Sequence, residues 1–116
     1  MEAQIGYKSR KVTRWVFPDY WYSFTKDIGN GMTAEFVMID TVLLAGESFH
    51  DIENNIFVAA TGPKNLQKAQ SQWTWLEKTM RDSTADFLFV VGHYPVYSPC
   101  CNQLLTLQNA LTFNYC

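Results

Sequence analysis

Cysteine is scarce in this chain, and its placement excludes a good deal. Only three occur among 116 residues: Cys100, Cys101 and Cys116. An odd number crowded toward one end gives no disulfide framework. Neighbouring Cys100 and Cys101 are poor partners for each other, because the local geometry is strained. A zinc site would need further ligands at suitable spacing, and none stand near them. Histidine is scarcer still, with only His50 and His93. No apolar run approaches the roughly 20 residues of a helical membrane span, so none is expected. Met1-Glu2-Ala3-Gln4 lacks the basic start and apolar stretch of a secretory signal peptide. No Asn-x-Ser/Thr glycosylation site occurs. Neither sign of charge dominates: 9 Lys and Arg against 11 Asp and Glu leave a net charge of −2. That balance argues against nucleic acid or an acidic membrane surface as a partner. The one basic cluster, Lys8, Arg10, Lys11 and Arg14, is interrupted by Ser9, Val12 and Thr13 and reads as a solvated face.

What is abundant is apolar and aromatic: 47% hydrophobic residues, 16% aromatic. Disorder is therefore not expected, and the length allows one domain at most. Trp15 to Phe24 splits at Pro18, and beyond it Tyr20, Tyr22 and Phe24 alternate with Trp21, Ser23 and Thr25, as in a strand. Gly29-Asn30-Gly31 is a turn signal, and Ala34 to Ile39 reads as a second strand. Residues 20–25 and 34–39 are thus expected to form a β-hairpin with a long loop. Residues 45–63 read as a long irregular stretch ending at Gly62-Pro63. Lys64 to Asp82 reads as a helix, with Leu66, Ala69, Trp73, Leu76 and Met80 on one apolar face and Lys68, Gln72 and Lys78 on other sides. Phe87 to Val91 is an unbroken apolar run, expected to be a fully buried strand. Strand, helix, strand is a βαβ crossover, which makes 34–39 and 86–91 parallel. The fold class is α/β (α+β). After Ser98 the pattern decays, with Leu104, Leu105, Leu107 and Leu111 forming at most a weak helix.

Chemistry concentrates where the last strand ends. Gly92 permits a tight turn, His93 follows at once, and Pro95 stops regular structure. An α/β protein presents ligands and catalytic groups at the carboxyl ends of its strands. A neutral imidazole there is a metal-ligand candidate, the alternative being a hydrogen-bonded loop histidine. Asp40 also ends a strand and reads as a ligand, a neighbour of a ligand, or a turn former. His50, beside Asp51 and Glu53, reads as a solvated loop histidine.

Val90-Val91-Gly92-His93-Tyr94-Pro95-Val96-Tyr97-Ser98 resembles the V-x-x-H block of the purple acid phosphatases, within the calcineurin-like metallophosphoesterases, most closely their small animal type. Other segments agree in order. Ala3 to Tyr7 resembles the stretch after that family's G-N-H motif. Arg14-Trp15-Val16-Phe17-Pro18 resembles R-W-x-F-P, and Phe36-Val37-Met38-Ile39-Asp40-Thr41 resembles F-M-L-D-T. Gln70-Ser71-Gln72-Trp73-Thr74-Trp75-Leu76 resembles the Q-x-x-W-L helix. The resemblance makes residues 1–98 the central part of a metallophosphoesterase domain and 99–116 a divergent tail. It implies a four-layer β-sandwich flanked by helices. It also implies a dinuclear centre of ferric iron with ferrous iron, zinc or manganese, and hydrolysis of phosphate monoesters at acid pH. His93 corresponds to a ligand of the divalent metal. The loop near 46–62 resembles the one that covers the active site in animal members, where cleavage is linked to activation. Family members are typically secreted or lysosomal.

The departures matter as much. Of an early Asp, G-D-x-x-Y, G-N-H-D/E, V-x-x-H and G-H-x-H, only the fourth is found. One imidazole out of about seven ligands cannot hold a dinuclear centre, since affinity rests on several ligands together. The 116 residues alone are therefore expected to bind no such centre and to be inactive. Ala45 stands where animal members commonly carry Cys, which puts the family's usual disulfide to the region of Cys100 and Cys101 in question. The alternative function is a non-catalytic splice product that binds a protein partner or itself through exposed strand edges.

Overall fold

A computed structural model describes residues 15–58 and 60–94, together with Gln4, Ile5 and Tyr7. The chain falls into two compact units. One runs to Asp40 and resumes at Thr74–Val91; the other comprises Thr41–Trp73 and the residues from Gly92 onward.

The first unit is built on a three-stranded sheet. Strands β1 (Tyr22–Gly29), β2 (Met32–Met38) and β5 (Phe87–Val91) lie in the order β1-β2-β5. β1 pairs with β2 antiparallel, as the alternation of Tyr22 and Phe24 with polar residues predicts. The loop, however, is not long. Asn30 and Gly31 alone connect the strands, both at positive φ (56° and 76°). Two such residues make a type I′ turn, whose twist matches that of the strands it joins. The register shifts between Asp27 and Gly29, and the Gly29 N–H donates to Asp27 Oδ1 at 2.7 Å, which fixes the irregularity.

β2 and β5 are parallel, with Ala34 opposite Phe87 and Met38 opposite Val91. This is the pairing the strand-helix-strand order predicts. The Ile39 N–H continues the ladder to the Val91 carbonyl at 2.9 Å. At the opposite end the Thr33 N–H and hydroxyl both donate to Asp86 Oδ2, at 2.7 and 3.2 Å. β5 is not the buried strand its composition suggests. Its residues are 37–47% exposed, because only β2 pairs with it among the described residues. An unbroken apolar run signals two covered faces; here it occupies an edge.

The two faces of this sheet differ. Glu35 shares a cavity of about 280 Å³ with Trp75, Lys78, Thr79, Asp82 and Ser83, so the second half of helix α2 (Leu66–Asp82) lies over the face bearing Glu35 and Val37. Val37 and Leu76 are buried. The other face carries a row of stacked rings. Phe24, Phe36 and Phe89 are register partners, with centroids 5.2 Å apart at each step and planes within 16°. Tyr22, Phe17 and Trp15 extend the row. Such cross-strand ring pairs stabilise a sheet by about 0.5–1.5 kcal/mol each beyond area burial.

The second unit holds helix α1 (Thr41–Ala45), the first part of α2, and a two-stranded hairpin of β3 (Phe49–Asp51) and β4 (Ile56–Val58). Residues 45–63, read as irregular, thus contain antiparallel pairing, with Phe49 opposite Val58 and Asp51 opposite Ile56. Asp51 organises the turn: Oδ1 accepts the N–H groups of Glu53 and Asn54, and Oδ2 accepts Asn54 Nδ2. Side chains of Asp do this readily in turns. These bonds hold the Asp51 carboxyl below its ordinary pKa, the Asn54 side chain contributing most.

Gly46 ends α1, its N–H donating to the Val42 carbonyl at 2.8 Å and its φ at +92°. That is the usual way a helix stops. The Gly62 N–H donates back to Ala45 O at 3.0 Å, so the two glycines clasp the base of the hairpin. Helix α2 starts at Leu66 rather than Lys64 because Asn65 caps it, Oδ1 accepting the Lys68 N–H at 2.9 Å. Its apolar face is rotated from the predicted one. Leu66 is 74% exposed while Gln72 is fully buried, and Ala69 and Leu76 are buried as expected. The weak helix over 104–111, the tail 99–116, the three cysteines and the basic cluster lie outside the described residues.

Candidate functional site

His93 follows β5 by two residues, across Gly92. Its side chain is exposed, and its ring lies 5.3 Å from that of Tyr94, tilted by 45°. The turn is held through Tyr94. The Tyr94 N–H donates to Thr41 Oγ1 at 3.1 Å, and Thr41 is only 2% exposed. The Tyr94 hydroxyl donates to the Gly46 carbonyl at 3.2 Å. It accepts the Ser48 N–H at 3.2 Å and lies 3.4 Å from Ser48 Oγ.

Asp40 follows β2 by two residues and is half-buried at the end of the first unit. His50 sits on β3 opposite Phe57 and is exposed, as a solvated histidine would be, though on a strand rather than in a loop. None of His93, Asp40 and His50 lines the cavity beside Glu35. Thr41 and Tyr94 were not singled out by the sequence. Their partners stand 46–53 residues away, and such contacts leave no local pattern.

Among the described residues no group of three or more His, Cys, Asp or Glu is placed to hold a metal ion. The residues described therefore do not fit a dinuclear centre. What they offer is one exposed imidazole on a turn anchored from two directions. Nor is any helix among them long and apolar enough to cross a membrane.

No protein-family model matches the chain. Curated proteins do. It is 36% identical to the tartrate-resistant acid phosphatase type 5 of Oryctolagus cuniculus over 101 residues, covering 84% of this chain and 29% of that protein. The enzymes of that name from Sus scrofa and Homo sapiens are 33% and 32% identical over 99 residues, again 84% of this chain and 28–29% of theirs. The chain thus spans under a third of the length of the curated relatives it matches. Over that stretch the matches support assignment to the purple acid phosphatases, of the tartrate-resistant type 5 kind.

Proposed function

We propose that the chain represents the central portion of an acid phosphatase that hydrolyses phosphate monoesters, and that its 116 residues alone do not catalyse the reaction. The carrying observation is the match to three tartrate-resistant acid phosphatases across 84% of the chain. The placement of His93 just past the carboxyl end of a parallel strand supports it. In this reading His93 contributes one imidazole nitrogen to a divalent ion (zinc, manganese or ferrous iron) beside a ferric one. The other ligands lie outside the residues described. The stacked rings of Phe24, Phe36 and Phe89 are then the inner face of a four-layer sandwich of the calcineurin-like type.

The test has two arms. The purified 116-residue chain, supplied with iron, zinc or manganese, should not hydrolyse an aryl phosphate at acid pH above the buffer rate. A chimera in which residues 3–98 replace the matching stretch of the rabbit enzyme should be active, and His93→Ala should abolish that activity. Hydrolysis by the short chain that disappears on His93→Ala would overturn the first claim. A folded chimera that stays inactive, or one indifferent to His93→Ala, would overturn the second.

One observation favours a binding role for the isolated chain: the exposed apolar residues of β5 on a sheet edge. Such edges pair with other strands. Sedimentation should show concentration-dependent association that Val90→Lys suppresses.

A further inference from the structure

We infer that the Tyr94 hydroxyl is a positioning group that locks the turn bearing His93 to the base of the β3–β4 hairpin. A phenol has one proton to give and lone pairs to receive. Here it gives the proton to Gly46 O and receives the Ser48 N–H, bridging the backbone on both sides of Glu47. The backbone of Tyr94 is meanwhile fixed on the buried Thr41 hydroxyl. Tyr94 is thus held at both ends. His93, exposed and packed beside the Tyr94 ring, takes its orientation from that neighbour.

The attachment point gives the lock its meaning. Gly46 is the residue clasped against Gly62, where the hairpin leaves and rejoins the body of its unit. Any displacement of that base pulls on the phenol and so on the turn carrying His93. The coupling is a property of these hydrogen bonds and stands apart from the phosphatase reading.

Tyr94→Phe in the 116-residue chain isolates the effect, because it keeps the ring and removes only the hydroxyl. Two readouts are needed: hydrogen exchange at the Ser48 amide, and the ring resonances of His93. We expect Ser48 exchange to rise on the order of tenfold, equivalent to about 1.4 kcal/mol, the loss of one hydrogen bond. The His93 ring shifts should move toward those of an unstructured histidine, while amides of β2 and β5 keep their protection. Ser48→Ala, which removes only the longest of the three contacts, should change neither. A merely structural tyrosine would not move His93 resonances while the sheet stays intact. Tyr94→Phe that leaves both readouts unchanged refutes the inference. Should that variant lose protection in β2 and β5, the wild-type chain decides: a Ser48 amide that exchanges there as fast as an unstructured one would refute the inference equally.

Discussion

Replacing Gly46 by alanine should be more damaging than the same change at Gly29, Gly31 or Gly62, and the difference can be worked out. Gly29, Gly31, Gly46 and Gly62 all sit at positive φ, between +76° and +111°. A side chain in that region costs about 1–2 kcal/mol from backbone strain alone. At Gly29, Gly31 and Gly62 an added Cβ would meet nothing within 4 Å, so strain is the whole cost. At Gly46 it would stand 2.3 Å from the Gly62 carbonyl oxygen, against 3.4 Å for ordinary contact. The two backbones would have to part by about 1.1 Å, the difference of those distances. That separation breaks the bond from the Gly62 N–H to Ala45 O, now 3.0 Å, adding about 0.5–1.5 kcal/mol. We expect Gly46→Ala to destabilise by about 1.5–3.5 kcal/mol and Gly62→Ala by about 1–2. Urea unfolding followed by circular dichroism gives the totals, and exchange at the Gly62 amide locates the loss. Equal effects at positions 46 and 62 would show that the clasp is not closed as described.

Leu76→Ala, at a side chain 1% exposed, should destabilise by about 2–5 kcal/mol in the same unfolding assay. Asn65→Ala removes the cap of α2 and should cost about 1 kcal/mol, visible as faster exchange in its first turn, with Asn65→Asp retaining most of the wild-type stability. The Thr33 N–H, and then its hydroxyl, hold the Asp86 carboxyl below its usual pKa of 3.8. A carboxyl depressed in the folded state contributes stability that is complete above the unfolded value and lost as pH falls through the lower folded one. Urea midpoints taken downward from pH 5 should therefore fall less steeply for Asp86→Asn than for the wild type; identical slopes would show that the Thr33 bonds contribute nothing there.

The parts legible in the sequence were those written in local repeats. Helix α2 was legible because Ala69, Leu76 and Met80 recur at helical spacing, while its start was read two residues early because the cap at Asn65 was overlooked. The parallel pairing of β2 and β5 followed from element order and the right-handed habit of crossovers. What failed depended on neighbours. The run Phe87 to Val91 carries no record of how many strands flank it. Leu66 and Gln72 exchanged roles because a periodic stripe sets the width of an apolar face but not its rotation. The β3–β4 hairpin was missed because three-residue strands are too short for alternation to show, although Asp51 and Asn54 mark its turn. His93 was singled out because glycine followed by histidine after an apolar run is a local signal. Thr41 and Tyr94 were not, since hydroxyls bonded across 46–53 residues leave none.

The contrast between the two connections of β2 sets an order of events in time. On one side two residues, Asn30 and Gly31, close the hairpin, and such closures take about 1–10 μs. On the other side Ala34 waits for Phe87, 53 residues later in the chain. At a synthesis rate of about 5–20 residues per second, that wait is roughly 3–10 s. Φ-values should accordingly be high for truncation of Phe24 or Phe36 and low for Phe89, and the reverse order would refute this sequence of steps. For those seconds the hairpin is complete, one edge of β2 is unpaired and the ring of Phe36 lacks its second neighbour. The nascent chain is then most exposed to chaperones and to its own copies on neighbouring ribosomes.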